Sequence, residues 1–201
     1  MNIKLISALT VTALLSVAPA FAAPVTLTFE DVTSGTPVGD LYLGTTGISF
    51  GGDVLGVVND EFSQFFTGAP SPIGVITDVG PASAMNFAEG AFANAVTFSY
   101  AATDVGTVTA WSGLNGTGTQ LGTFSLAANS ASCAETTPFC LWQAATLSFT
   151  GSLAKSITFD TGGFGAFDNV EVQAVPLPAA GWLLMSALTG FGAWRRKQRA
   201  A

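Results

Sequence analysis

Histidine does not occur anywhere in the 201-residue sequence. The side chain that most often acts as a general base near neutral pH is therefore missing. Serine–histidine and cysteine–histidine nucleophile systems cannot be assembled without it. With two cysteines and no histidine, a structural zinc site is excluded as well. Paired carboxylates are the one common catalytic arrangement left, and a catalytic role is not expected.

Basic residues are almost absent from the middle of the chain. Of the six in the sequence, only Lys155 lies between residues 23 and 175, whereas all 13 acidic residues lie there. The net charge of this region is 1 − 13 = −12. A field of that sign repels phosphate backbones, so nucleic acid is excluded as a partner. The acidic surplus serves solubility or attracts cations.

Only two cysteines are present, Cys133 and Cys140. An isolated pair at short spacing is typical of a disulfide in a chain that leaves the cytoplasm, and the N-terminal residues 1–22 predict such export. The sequence therefore predicts a closed loop over residues 133–140.

The N-terminal residues 1–22 have the three parts of a secretory signal peptide. Lys4 gives the positive charge, residues 5–17 form an apolar segment, and Ala20-Phe21-Ala22 is a small-x-small cleavage site. We expect signal peptidase to cut after Ala22, which implies export; a retained N-terminal anchor is the alternative.

The C-terminal residues 175–201 indicate a second membrane signal. Residues 177–194 contain no charge, and these 18 residues would form a helix of about 27 Å, close to the thickness of a bilayer core. A basic cluster follows: Arg195, Arg196, Lys197 and Arg199. Since basic residues remain in the cytoplasm, residues 23–174 are expected outside it as the ectodomain.

The tail resembles the PEP-CTERM class of protein-sorting signals. Its motif is similar to the VPLPA variant and reads Val175, Pro176, Leu177, Pro178 and Ala179. The resemblance implies a Gram-negative bacterium, transient anchoring in the inner membrane, processing by an exosortase, and association with exopolysaccharide or biofilm at the cell surface. An uncleaved single-span anchor is the alternative.

The ectodomain shows alternating apolar and polar residues in many short segments. Examples are Val25–Phe29, Ala95–Tyr100, Thr107–Trp111, Gly122–Leu126, Ala145–Phe149, Lys155–Phe159 and Phe167–Val172. This period of two indicates half-buried strands, and Asn115-Gly116 favours a hairpin turn between two of them. The residues from Gly68 to Gly80 are expected to form a loop. About nine or ten strands predict an all-β, antiparallel two-sheet jelly-roll β-sandwich, flanked by the signal helix and the transmembrane helix.

This pattern resembles the carbohydrate-binding-module-like sandwiches of exported bacterial proteins. The residues that carry the resemblance are Phe29-Glu30-Asp31, Tyr42 with Gly47–Phe50, the hairpin Val108–Phe124, and Phe167–Val170. It implies a structural calcium ion between the first and last strands, with Glu30, Asp31 and Asp168 as ligands. The alternative is that these residues cap turns or are solvated.

Four aromatic side chains are candidates for contact with a glycan: Trp142, Trp111, Tyr42 and Tyr100. Flat rings stack on the apolar faces of sugars, although most aromatics of a sandwich belong to its core. The leading hypothesis is a non-catalytic module that binds or organises exopolysaccharide. A purely structural matrix or adhesion protein is one alternative. A glycosidase with two convergent carboxylates is the other.

Overall fold

The computed structural model describes residues 24–61, 63–81, 83–88, 93–149 and 153–174. The predicted signal peptide, sorting motif, transmembrane helix and basic cluster lie outside these residues. Within the described part of the chain, no helix is long and apolar enough to cross a membrane.

The described residues form eleven strands and one short helix. In chain order they are β1 (Val25–Leu27), α1 (Leu43–Thr46), β2 (Ile48–Phe50), β3 (Val54–Val58), β4 (Gly74–Asp78), β5 (Ala84–Phe87), β6 (Ala93–Ala102), β7 (Gly106–Trp111), β8 (Gln120–Leu126), β9 (Gln143–Ser148), β10 (Ser156–Asp160) and β11 (Gly165–Ala174).

The strands form two antiparallel sheets that pack face to face. The six-stranded sheet has the order β3-β4-β11-β6-β9, with β1 also paired to β11. The five-stranded sheet has the order β2-β5-β10-β7-β8. The chain crosses repeatedly between the sheets, as in a jelly roll. The predicted fold class, an all-β two-sheet sandwich, is confirmed.

The main core lies between the sheets and follows from the alternation of the strands. On β10, Ile157 and Phe159 are buried, whereas the intervening Thr158 faces outward. Phe167 of β11 packs against Phe159 from the opposite sheet with ring centroids 4.7 Å apart, and against Phe98 at 5.8 Å. Aromatic contacts of this kind add to the free energy of area burial.

A second apolar cluster covers the outer face of the six-stranded sheet. Its buried members are Phe66, Val75, Ala101, Phe139 and Ala166. Phe66 and Phe139 form an isolated parallel bridge, so two loop segments join into one cover over the sheet. The second segment is closed by the predicted Cys133–Cys140 disulfide, which is confirmed.

The expectation of a loop from Gly68 to Gly80 is wrong, because β4 occupies its second half. Val75 is buried in the outer cluster and Ile76 in the main core. A strand buried on both faces loses the apolar–polar alternation by which strands are recognised. The same two loop segments also cover part of β3, because the partly buried Val57 packs against the outer cluster.

The chain ends lie at one end of the sandwich, and a set of connecting loops forms the opposite end. Val25 pairs with Val172, so both ends of the described chain lie at one end of the molecule. We call the opposite end, formed by residues 79–81, 103–105 and 161–164, the distal end. The ten-residue strand β11 separates the two ends by about 30 Å.

Candidate functional site

A cleft of about 700 Å³ lies on the outer face of the five-stranded sheet and reaches the distal end. Its lining residues are Asp78, Val79, Gly80, Pro81, Trp111, Asn115, Gly116, Thr158, Phe159, Asp160, Gly162, Gly163 and Phe164. They come from β4, β7 and β10 and from the three connections next to these strands.

The indole of Trp111 is the aromatic element of this cleft. Trp111 ends β7, just after a register shift relative to β8 between Ala110 and Trp111. Its Nε1 donates a hydrogen bond to the Thr158 Oγ1 at 2.9 Å, which holds the half-buried ring against the outer face of β10. The ring position is therefore fixed by a strand, not by a loop.

The β7–β8 hairpin turn forms one wall by folding over the sheet. Asn115 and Gly116 have φ values of 53° and 68°, as a tight hairpin turn requires, which confirms the predicted turn. A Cβ atom at Gly116 would lie 2.6 Å from the Thr158 Cγ2, so only glycine permits this approach to β10.

Two side chains outside the hairpin hold the turn in place. Asn86 of β5 donates to the Asn115 Oδ1 at 2.8 Å and accepts from the Asn115 backbone N–H at 2.7 Å. Ser156 Oγ donates to the Gly113 carbonyl at 2.7 Å and accepts from the Gly116 N–H at 3.0 Å. The wall is thus attached to two neighbouring strands.

Two carboxylates are the charged groups of the cleft, and no basic side chain lines it among the described residues. Asp160 is exposed, and its Oδ1 accepts from the Gly162 N–H at 3.0 Å. Both oxygens of Asp78 accept from Thr161, Oδ2 from the N–H at 3.0 Å and Oδ1 from the hydroxyl at 2.8 Å. Burial raises the pKa of Asp78; the hydrogen bonds from Thr161 oppose this rise, and the charge of Asp160 adds a smaller contribution to it.

This combination suits the binding of a neutral or cationic polyol. A half-buried indole presents an apolar surface, while hydroxyl, amide and carboxylate groups lie around it. Acid–base catalysis needs a carboxyl group that is free to exchange a proton with the substrate. Both oxygens of Asp78 already accept hydrogen bonds from Thr161, so the Asp78 carboxylate fixes the turn after β10.

Of the four predicted glycan contacts, only Trp111 lines this cleft. Trp142 lies on the other sheet, where its ring packs edge-on against Phe66 and its Nε1 donates to the Thr67 carbonyl at 3.0 Å. Trp142 therefore supports the outer cluster.

Neither tyrosine lines the cleft: Tyr100 is buried in the main core, and Tyr42 is partly buried against it. Tyr100 is only 1% exposed, and its hydroxyl donates to the Gln143 Oε1. The prediction that Tyr100 contacts a glycan is wrong, because its position on β6 turns the ring into the core. Tyr42 packs edge-on against Phe29 and Phe50, and its buried hydroxyl has no hydrogen-bond partner in the described part of the chain. Burial, and then the charges of Asp31 and Glu30, raise the pKa of Tyr42 to about 12.

Of the predicted calcium ligands, Glu30 and Asp168 lie close enough for their charges to interact, and both accept hydrogen bonds from the backbone. Glu30 Oε1 accepts from the N–H groups of Ile73 and Gly74 at 3.1 and 3.3 Å. Asp31 is exposed. Across residues 24–174, leaving out the undescribed gaps, no three His, Cys, Asp or Glu residues are grouped so as to hold a metal ion. The calcium site stays a prediction.

Asp168 is buried at the point where β11 changes neighbours. β4 pairs with residues 166–167 of β11, and β1 pairs with residues 170–172. In the gap, the Asp168 Oδ2 accepts from the Ser71 N–H at 2.6 Å and Oδ1 from the Asn169 N–H at 2.7 Å. Burial raises the pKa of Asp168 to about 6, opposed by these hydrogen bonds and aided by the charge of Glu30.

The sequence did not predict Asp78, Asn115 or Asp160 as residues of the cleft, nor Asn86, which holds the hairpin wall from outside the lining. One signal for Asp160 is present, because the alternation over Lys155–Phe159 places Thr158 outward and its extension places Asp160 on the same face. The contact of Asn86 with Asn115 joins residues 29 positions apart and has no local signal.

No protein-family model matches the chain, and no curated protein matches it. Among solved structures, the K2 cleaved adhesin domain of Lys-gingipain is similar with a TM-score of 0.51 and 16% identity, over 75% of this chain and 99% of that one. CsCBM6-3 from Clostridium stercorarium, solved with cellobiose, has a TM-score of 0.41 and 16% identity, over 76% and 94%. The CBM22-1 xylan-binding domain of Paenibacillus barcinonensis Xyn10C has 0.42 and 12%, over 80% and 99%. The similarity to the adhesin domain shows a shared fold.

Proposed function

We propose that the protein is an exported, exosortase-sorted component of the cell envelope, whose β-sandwich binds polysaccharide at the cell surface without acting on it. The observation that carries the binding role is the cleft around Trp111. An indole fixed to a strand by Thr158, with Asn115 and Asp160 beside it, offers one apolar face and several polar groups to a sugar ring.

The absence of catalysis in this proposal rests on the carboxylates of the cleft. A glycosidase needs one carboxyl group as acid and a second as nucleophile or base. Both oxygens of Asp78 are occupied by Thr161, and Asp160 is exposed and bonded to a turn. We therefore expect no new reducing ends when the protein is incubated with a polysaccharide that it binds.

The route to the surface rests on the sequence of the two termini. Signal peptidase would remove residues 1–22, and the apolar segment with its basic cluster would hold the chain transiently in the inner membrane. An exosortase would then act near the motif at 175–179. The producing cell's exopolysaccharide is the ligand that this destination makes available.

The test is co-sedimentation of the full chain, kept soluble in a neutral detergent, with the producing cell's own exopolysaccharide. Trp111→Ala should weaken saturable binding about tenfold, since it removes the stacking surface. Trp142→Ala is the matched control, because it removes the same side chain from the opposite sheet and should leave binding unchanged. Equal binding by both variants and the unmodified protein would refute the cleft as the binding site.

The same experiment includes calcium and a chelator as separate conditions. Loss of binding in the chelator, with binding restored by calcium in the unmodified protein but not in Glu30→Gln, would support the predicted ion near β1. Binding that is indifferent to calcium and to the chelator would mean that glycan binding does not require the predicted ion.

A structural role in contact with other proteins is the second candidate. The distal end exposes three apolar side chains, with Val79 57%, Val105 73% and Phe164 70% accessible. Clustered apolar groups on adjacent loops are typical of protein contacts. This role is favoured if no polysaccharide co-sediments and Phe164→Ser abolishes self-association or matrix assembly.

A further inference from the structure

The sign of the charge in the cleft restricts the kind of glycan that fits it. Asp160 uses Oδ1 to accept from the Gly162 N–H, and no described residue donates to its Oδ2. Asp78 adds a second carboxylate to the lining. With no lysine or arginine among the described lining residues, a bound anionic group would meet only like charge.

The net charge of the predicted ectodomain also disfavours anionic glycans. Residues 23–174 carry one basic and 13 acidic residues, a net charge of −12. A field of this size lowers the local concentration of polyanions and raises that of cations. Polysaccharides rich in uronic acid or sulfate are therefore disfavoured before any contact is made.

The Asp160 carboxylate and the indole of Trp111 line the same cleft. Thr158, which holds the indole of Trp111, and Asp160 are two residues apart on β10 and face the same side. Their separation along the strand is about 7 Å. A sugar ring stacked on the indole would have its substituents within reach of the carboxylate. A protonated amine on such a substituent would gain a charge-assisted hydrogen bond to the Asp160 carboxylate.

We propose that the cleft selects polysaccharides that contain free amino sugars, with the ring on Trp111 and the ammonium group on Asp160. The proposal rests on the proposed function, because it names the ligand class of that same cleft. Fully N-acetylated chains lack the cation, and uronate chains carry the opposite charge.

The test compares three soluble hexasaccharides by titration calorimetry with the full chain in neutral detergent. They are oligomers of glucosamine, N-acetylglucosamine and mannuronate. We expect the glucosamine oligomer to bind roughly tenfold more tightly than its N-acetylated form, as the loss of one charge-assisted hydrogen bond predicts. The mannuronate oligomer should show no binding that depends on Trp111.

Two variants separate the local carboxylate from the overall charge. Asp160→Asn should abolish the preference for glucosamine and leave the affinity for the N-acetylated oligomer unchanged. Asp40→Asn makes the same change of charge at an exposed position outside the cleft lining, and it should retain the preference. Equal losses in both variants would mean that only net charge attracts the amine, which would overturn the assignment.

The possible failures are distinguishable. Equal affinity for the glucosamine and N-acetylated oligomers, sensitive to Trp111→Ala, would overturn the amino-sugar assignment and leave glycan binding intact. Trp111-dependent binding of the mannuronate oligomer would do the same. If neither the hexasaccharides nor the exopolysaccharide shows any Trp111-dependent binding, the proposed function fails and this inference fails with it.

Discussion

At the scale of single residues, Asp168 was predicted as a calcium ligand, and in the fold its carboxylate accepts hydrogen bonds from the backbone. The residue is 0% exposed, and its two oxygens accept from the backbone N–H groups of Ser71 and Asn169. The bond from Ser71 joins β11 to the segment before β4, where the strand pairing is interrupted, and the bond from Asn169 lies within β11. A carboxylate is suited to this gap because it accepts two bonds without needing to donate one.

The stability of the protein should therefore depend on the ionisation of Asp168. Its pKa rises from the ordinary 3.8 to about 6 on folding. Between these values the folded chain binds more protons than the unfolded chain, so the free energy of unfolding decreases as the pH rises from about 4 to about 6. The decrease attributable to this group is about 3 kcal/mol at most.

Asp168→Asn should remove this part of the pH dependence. We expect urea titrations at several pH values to show the variant losing less stability than the unmodified protein between pH 4 and 6. The exposed Asp40→Asn should keep the full decrease. Identical pH profiles for the unmodified protein and Asp168→Asn would contradict the assignment, and titration of Asp168 by NMR would check its pKa directly.

At the scale of elements, β7 and β10 could be predicted because apolar and polar residues alternate along their sequences. β4 was missed because Val75 and Ile76 are buried on opposite sides of the same strand. The outer side of β4 is covered by Phe66 and Phe139, which are distant from parts of this sheet in sequence and contact it only after the chain has folded. Local alternation carries no information about such a cover.

In the candidate site, too, only the features that depend on local sequence could be predicted. Trp111 was a candidate from its residue type alone, and the Asn115-Gly116 turn was predicted from local chemistry. That the turn folds over β10 depends on Asn86 and Ser156, which are distant in sequence. The cleft exists only because these long-range hydrogen bonds form, so its walls could not be predicted from the sequence.

The hairpin wall should thus be sensitive to Asn86. Asn86→Ala removes two hydrogen bonds to Asn115 at an exposed position, so the free energy of unfolding should fall by about 1 kcal/mol. The affinity for exopolysaccharide should fall several-fold, because Asn115 and Gly116 line the cleft. Gln120→Ala is the control: it removes an exposed hydrogen bond to Thr123 on β8, outside the cleft lining. An unchanged affinity in Asn86→Ala would show that the wall does not contact the ligand.

At the scale of the whole molecule, the position of the chain ends determines how the cleft would be presented. Both ends of the described chain lie together, and the cleft extends toward the distal end, about 30 Å away along β11. A tail that follows Ala174 into the inner membrane would direct the distal loops away from the lipid. The acidic surface would favour the same orientation, since it is repelled by anionic headgroups.

This topology depends on the basic residues at 195–199, which should remain in the cytoplasm. An alkaline phosphatase reporter, active only after export, tests it in cells that lack the exosortase. We expect activity when the reporter follows Ala174 and none when it follows Ala201. Replacing the basic residues at 195–199 by glutamine should raise the activity of the second fusion, because the charge that retains the tail is removed. Equal activity of both fusions with the basic residues intact would mean that the apolar segment does not span the membrane, and the proposed anchoring would fail.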